Sequence, residues 1–127
     1  MTKEKKVLNQ FGKLLMEEVR DGVIYDLHQI IEGNFVSEQN KYLQSIIKKS
    51  KIKKEDLEII VTEMIDKTIF SFLFMFDMNE EFSIVANTGK TVKNLAEVSD
   101  GLAGEIYSDE GWIKKYSQYK QIDDWIE

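Results

Sequence analysis

The stretch KEDLEIIVTEMIDKTIFSFLFMFDM, residues 54–78, decides the fold. Glu55 and Asp56 suit the positive first turn of a helix. A stripe at helical spacing follows, formed by Leu57, Val61, Met64, Thr68, Phe72 and Met75. From Ile69 to Phe76 the chain is apolar on almost every side, and such a helix is normally buried on every side. We therefore predict a central core helix over about 54–78, or a subunit contact on the far side of Ile69–Phe76.

The residues before this stretch predict two further helical segments. Residues 5–32 repeat apolar side chains every three or four positions: Leu8, Phe11, Leu15, Val19, Val23, Leu27 and Ile31. Glycine costs about 1 kcal/mol inside a helix relative to alanine, so we expect a bend or a junction near Asp21–Gly22. Gly33–Asn34 suits a helix end, and Ser37 suits the N-cap of a helix that runs to about Lys49.

The residues after the central helix predict shorter elements. Phe82, Ile84 and Ala86 alternate with their neighbours, so 82–93 is the one plausible β-hairpin, with its turn at Asn87–Lys90. We expect a short helical turn at 94–98 and a second one from Ser99 to about Tyr107. A last helix, capped by Ser108, is predicted over 109–119.

Length and composition predict a single domain over residues 1–127, a compact and mainly α bundle. The chain has 127 residues, no cysteine and no proline, so neither a disulfide framework nor a proline break is available. Its most apolar run, residues 68–76, is far shorter than the roughly 20 residues of a membrane span. The basic N-terminus lacks an uninterrupted apolar region, so we expect no signal peptide and a cytoplasmic location.

Charge is distributed unevenly. Residues 1–63 hold 11 basic and 11 acidic side chains, whereas residues 64–127 hold 6 and 12, which accounts for the net charge of −6. An acidic second half should repel phosphate backbones, so no nucleic-acid partner is expected. Residues 41–54 contain six lysines and no acid, and we interpret this stretch as a solvated helix end and loop. No membrane partner is expected either.

The residue types that carry catalysis are sparse. His28 is the only histidine, too few for a histidine metal site. Gly89-Lys90-Thr91 resembles the end of a phosphate loop, but Ile84 stands where that motif needs its first glycine. The acidic pairs at 17–18, 80–81, 109–110 and 123–124 fit solvated charge. We therefore predict no enzyme, no metal and no cofactor, with a small-ligand pocket beside the phenylalanine-rich helix as an alternative.

The C-terminal end combines acidic and aromatic side chains. Tryptophan and tyrosine are frequent hot-spot residues in interfaces, and acids speed the association of a basic partner. We predict an acidic, aromatic surface that binds a basic protein partner. Its residues are Asp109, Glu110, Trp112, Tyr116, Tyr119, Asp123, Asp124 and Trp125. The alternative is that Trp112 and Tyr116 dock the last helix on the core while Trp125 acts as a clasp.

A resemblance to known proteins also favours a binding role. VSDGLAGEIYSDEGWIKKYSQY, residues 98–119, with an echo in EVRDGVIYD, residues 18–26, resembles a motif block of small bacterial proteins. Those proteins resemble the immunity proteins of polymorphic-toxin systems, and the likeness covers residues 98–125. It implies a bacterial origin and a non-enzymatic binding role, with a basic toxin as the partner. The other function left open is a self-associating structural module.

Overall fold

A computed structural model describes residues 2–88 and 91–126, and it confirms a mainly helical chain with one small hairpin. The helices and strands, in chain order, are α1 (Lys3–Leu14), a π-helical turn (Leu15–Arg20), α2 (Asp21–Glu32), α3 (Glu38–Ser50), α4 (Lys54–Met78), β1 (Val85–Thr88), β2 (Thr91–Asn94), α5 (Leu95–Val98), a 3₁₀ turn (Ala103–Ile106), α6 (Trp112–Tyr116) and α7 (Ile122–Trp125).

The irregularity expected near Asp21–Gly22 is a π-helical turn that ends directly before Asp21. Five of the residues buried along this helical segment follow a four-residue spacing: Leu8, Gly12, Met16, Arg20 and Ile24. Asp21, Leu27 and Ile30 are buried as well. In a regular α-helix each such step drifts by about 40° around the axis. The wider π turn offsets this drift and keeps all five on one side. Val19 and Val23, expected in the core pattern, are consequently almost half exposed.

The next two helices begin and end as the sequence predicts. Gly33 ends α2 with a φ of 83°, and the Ser37 hydroxyl accepts a hydrogen bond from the Asn40 backbone N–H. The central helix α4 spans the predicted residues. However, its apolar second half is not buried on every side, because Phe72 and Met75 are about half exposed. The prediction of an all-round buried helix is therefore wrong for this face.

The hairpin pairs Val85 with Asn94 and Thr88 with Thr91 in antiparallel register. It is shorter than the predicted 82–93, since Phe82 lies exposed before β1. The Leu95 N–H donates to the Ile84 carbonyl at 2.8 Å and ties the hairpin to α5. Gly89 and Lys90, the centre of the phosphate-loop resemblance, lie outside the described residues.

The predicted helix over 109–119 is wrong in length, because α6 covers only Trp112–Tyr116. Ser108 has a φ of 86° and does not cap it. At the other end Ser117 is extended, its hydroxyl engaged with Asp21. The helical turn at 94–98 is confirmed.

The helix expected from Ser99 to Tyr107 is instead the short 3₁₀ turn, and Ser99 does not cap it. A carboxylate that is distant in sequence accepts hydrogen bonds from the backbone at the start of this turn. Asp77 at the end of α4 accepts hydrogen bonds from the Leu102 and Ala103 N–H groups at 2.8 and 2.9 Å.

The core lies where α1, the π turn and the second half of α4 meet the segment from α5 to α6. Its buried side chains are Leu8, Met16, Ile69, Leu73, Leu95, Leu102, Ala103, Ile106, Trp112 and Ile113. Trp112 is the largest of them and crosses Gly12 of α1. A β-carbon at position 12 would lie 2.3 Å from the indole ring, so only glycine leaves room for Trp112.

Gly12→Ala should lower the free energy of unfolding by about 1–3 kcal/mol, because the indole must move out of its packed position. Urea unfolding monitored by tryptophan fluorescence measures this loss. Gly22→Ala is the matched control, since nothing lies within 4 Å of the added methyl group. That variant should gain about 0.5–1 kcal/mol through its better helix propensity. Equal losses in both variants would contradict close packing of Trp112 on Gly12.

Candidate protein-binding surface at the C-terminal segment

A fully buried arginine holds the C-terminal segment in place. The Nε and Nη2 atoms of Arg20 donate to the two carboxylate oxygens of Asp66 at 2.6 and 3.0 Å. Nη1 donates to the Ser117 hydroxyl at 2.6 Å and to the Tyr119 carbonyl at 3.2 Å. Nη2 also donates to the Lys120 carbonyl at 3.0 Å. One side chain thus connects the π turn, α4 and residues 117–120.

Asp21, the next residue in the chain, completes this arrangement. The Ser117 hydroxyl donates to Asp21 Oδ1 at 2.5 Å, and the Gln118 backbone N–H donates to Oδ2 at 3.1 Å. Arg20 Nη1 lies 3.9 Å from Asp21 Oδ1. Buried charges are costly unless they are paired and hydrogen-bonded, and these contacts satisfy both carboxylates. The segment after α6 is therefore a fixed part of the fold.

Trp112 is 1% exposed, which corrects the expectation that it belongs to an accessible surface. Its ring meets Phe11 edge to face at 5.8 Å in the core. Tyr116 is half-buried and packs against the same core cluster. We call the remaining predicted residues the C-terminal surface: Asp109, Glu110, Tyr116, Tyr119, Asp123, Asp124 and Trp125.

Three of the predicted carboxylates line one cleft. Asp109, Asp123 and Asp124 border a cleft of about 310 Å³, which Lys114 also lines. Lys114 Nζ lies 3.7 Å from Asp124 Oδ1, so three acids face one ammonium group. Glu110 lies outside this cleft, 3.9 Å from Lys115 Nζ. Over residues 109–126 four acids oppose three lysines, so the negative charge of this region is concentrated in the cleft.

The predicted aromatic residues Tyr119 and Trp125 line a different cleft. Its volume is about 450 Å³, and Glu58 of α4 also borders it. Lys120 Nζ lies 5.9 Å from the centre of the Trp125 ring. His28 Nε2 lies 3.3 Å from Glu58 Oε1, and its ring meets Tyr119 edge to face at 5.5 Å. These contacts fix the Tyr119 side of this aromatic cleft.

Sequence reasoning missed Tyr107, which lines the acidic cleft. Burial, followed by the negative charges of Asp66 and Glu63, raises the pKa of Tyr107 to about 12. Its hydroxyl therefore stays protonated near pH 10, where an ordinary tyrosine is about half ionised. Burial and the charge of Asp21 also raise the pKa of Tyr119. Nothing local in the sequence distinguishes Tyr107 from the other tyrosines.

The described residues show neither a metal-ligand cluster nor a membrane-spanning helix. Within residues 2–88 and 91–126 no three Asp, Glu or His side chains come together as metal ligands. No helix in these ranges is long and apolar enough to cross a membrane. Comparisons with family models, with curated proteins and with solved structures found no significant match.

Arg20→Met should lower the free energy of unfolding by about 3–5 kcal/mol, because it leaves Asp66 charged, buried and unpaired. The double variant Arg20→Met/Asp66→Leu should recover part of this loss, since no uncompensated charge remains. Urea unfolding of the two single variants and the double variant measures the coupling. A double variant that loses the sum of both single losses would contradict a direct interaction between the two side chains.

Proposed function

We propose that this protein is a non-enzymatic binding module that recognises a basic protein partner through its C-terminal surface. The carrying observation is that Asp109, Asp123 and Asp124 line one cleft with only Lys114 as a counter-charge. Such a cleft offers carboxylate oxygens to a lysine or arginine side chain of a partner. The fixed segment between α6 and α7 leads directly into α7, which carries Asp123 and Asp124, so that these two acids are presented with little ordering cost at binding.

The neighbouring aromatic cleft would supply the apolar part of the contact. Tyr119 and Trp125 are residue types that dominate the binding energy of interfaces. Acids beside them would steer a cationic partner and raise its association rate. The resemblance of residues 98–125 to immunity proteins supports a basic toxin as that partner, in the cytoplasm of a bacterium.

Asp109→Lys/Asp123→Lys should weaken partner binding by at least about tenfold, because repulsion replaces attraction in the acidic cleft. Affinity capture from the native host at low salt, quantified by mass spectrometry, compares this variant with the wild type. The control Glu80→Lys/Glu81→Lys makes the same change in charge at exposed residues outside the cleft. The captured partner should be basic, and its recovery should fall with salt. Equal recovery by both variants would contradict the proposal.

A second candidate function, self-association, is favoured by one observation on α4. Ile60, Met64, Phe72 and Met75 are all about half exposed along one side of this helix. The first two line an open apolar groove of about 370 Å³ together with Val19. Exposed apolar faces of this kind are characteristic of contacts between subunits.

A small-ligand site fits this groove less well than a protein contact. Thr68 supplies the only polar side chain among the residues that line it. Its hydroxyl already donates to the Met64 carbonyl at 2.7 Å. Ligand sites combine apolar walls with several converging polar groups, and this groove lacks them.

If α4 mediates self-association, Met64→Glu/Phe72→Glu should convert an oligomer into a monomer, because two buried charges would be unpaired. Sedimentation velocity over a concentration series measures the assembly state. Val36→Glu is the control, since Val36 is fully exposed between α2 and α3. A wild-type monomer at every concentration would refute self-association and leave the partner-binding proposal standing.

A further inference from the structure

Helix α3 is amphipathic but buries none of its side chains. The helix has 13 residues, and its contact with α2 includes a 3.4 Å hydrogen bond from Gln44 Nε2 to the Ile31 carbonyl. On another side of the helix Tyr42, Leu43 and Ile46 are 66%, 45% and 45% exposed. These three residues fall within one turn and form a single apolar face. The fold therefore leaves about half of this apolar face exposed.

Unpaired lysines accompany this apolar face. Five exposed lysines in or beside α3 form no ion pair among the residues that the structure describes: Lys41, Lys48, Lys49, Lys51 and Lys53. Lys54 is engaged 3.8 Å from Glu32. No acid occurs within residues 41–54, and Glu38 and Glu55 lie just beyond the two ends of this stretch. The region therefore combines free cations with exposed apolar surface.

Three kinds of binding partner would satisfy the apolar face and the unpaired lysines to different extents. A nucleic acid would pair with the lysines through its phosphates, but it would leave Leu43 and Ile46 in water. A second copy packed α3 against α3 would cover the apolar face, but it would leave most of the lysines unpaired, because Glu38 is the only acid of α3. An anionic lipid surface accepts both features, because apolar side chains enter the boundary below the headgroups while lysines meet the phosphates.

We propose that α3 is a membrane-surface helix that docks the protein on anionic lipid bilayers. Leu43 and Ile46 enter the headgroup boundary, and Tyr42 lies at the level where aromatic rings with a polar end are favoured. The lysines at the end of α3 supply the electrostatic attraction. From the sequence alone we expected no membrane partner, because these lysines were interpreted as solvated charge. The structure shows in addition that the exposed apolar face of Tyr42, Leu43 and Ile46 lies beside these lysines. This inference is independent of the proposed protein partner.

Co-sedimentation with lipid vesicles tests the proposal on the full chain. The protein should bind vesicles that mix phosphatidylcholine with phosphatidylserine, bind phosphatidylcholine alone far more weakly, and dissociate as salt is raised. Leu43→Ser/Ile46→Ser and Lys48→Glu/Lys49→Glu should each reduce binding by at least about tenfold. All four positions are exposed, so both variants should retain the helical circular dichroism of the wild type.

Two matched controls make the test specific. Lys5→Glu/Lys6→Glu repeats the charge change on exposed residues of α1, and Leu14→Ser removes an exposed leucine from the same helix. Both should bind mixed vesicles within about twofold of the wild type. No binding to mixed vesicles, equal binding to neutral vesicles, or equal losses in the controls would overturn the proposal. Preferential binding of an RNA oligonucleotide over these vesicles would overturn it as well.

Discussion

The fold depends on how one buried cation, the guanidinium group of Arg20, is paired and hydrogen-bonded. Arg20 is the only arginine among 17 basic residues, and it lies where a helical segment faces the interior. A guanidinium group presents several donors in a planar fork, whereas a lysine ammonium is a point charge on a flexible chain. That fork reaches the Asp66 carboxylate and, in other directions, the carbonyls of Tyr119 and Lys120. The position of the C-terminal segment follows from this geometry.

Local sequence signals predicted the long elements well. The capping serine at Ser37, the glycine at Gly33 and the apolar run of α4 each act within a few residues, so their effects are readable from the chain. The π turn was not predicted as such. The four-residue spacing from Leu8 to Ile24 includes Gly12 and Arg20, which do not look like core residues in a hydropathy pattern. A search for apolar side chains alone therefore selects Val19 and Val23 instead.

The C-terminal region was harder to predict because long-range contacts determine it. The local sequence left open whether Trp112 lies on the surface beside Asp109 and Glu110 or docks on the core, because its pocket is made by Gly12, a hundred residues earlier. Ser117 ends α6 because its hydroxyl is drawn to Asp21. Neither partner is visible in the local sequence. By contrast, Asp109, Asp123 and Asp124 do come together at one cleft, as proximity in the chain suggested.

Native-state hydrogen exchange at two backbone amides tests the central role of Arg20 most directly. The Gln118 N–H donates to Asp21, and the Tyr119 N–H donates to the Ser117 hydroxyl at 3.1 Å. If the buried cluster fixes this segment, both amides should exchange only through global unfolding, with the same free energy as the Ile69 amide in α4. Fast exchange of Gln118 and Tyr119, with Ile69 still protected, would show a fraying tail and contradict the account.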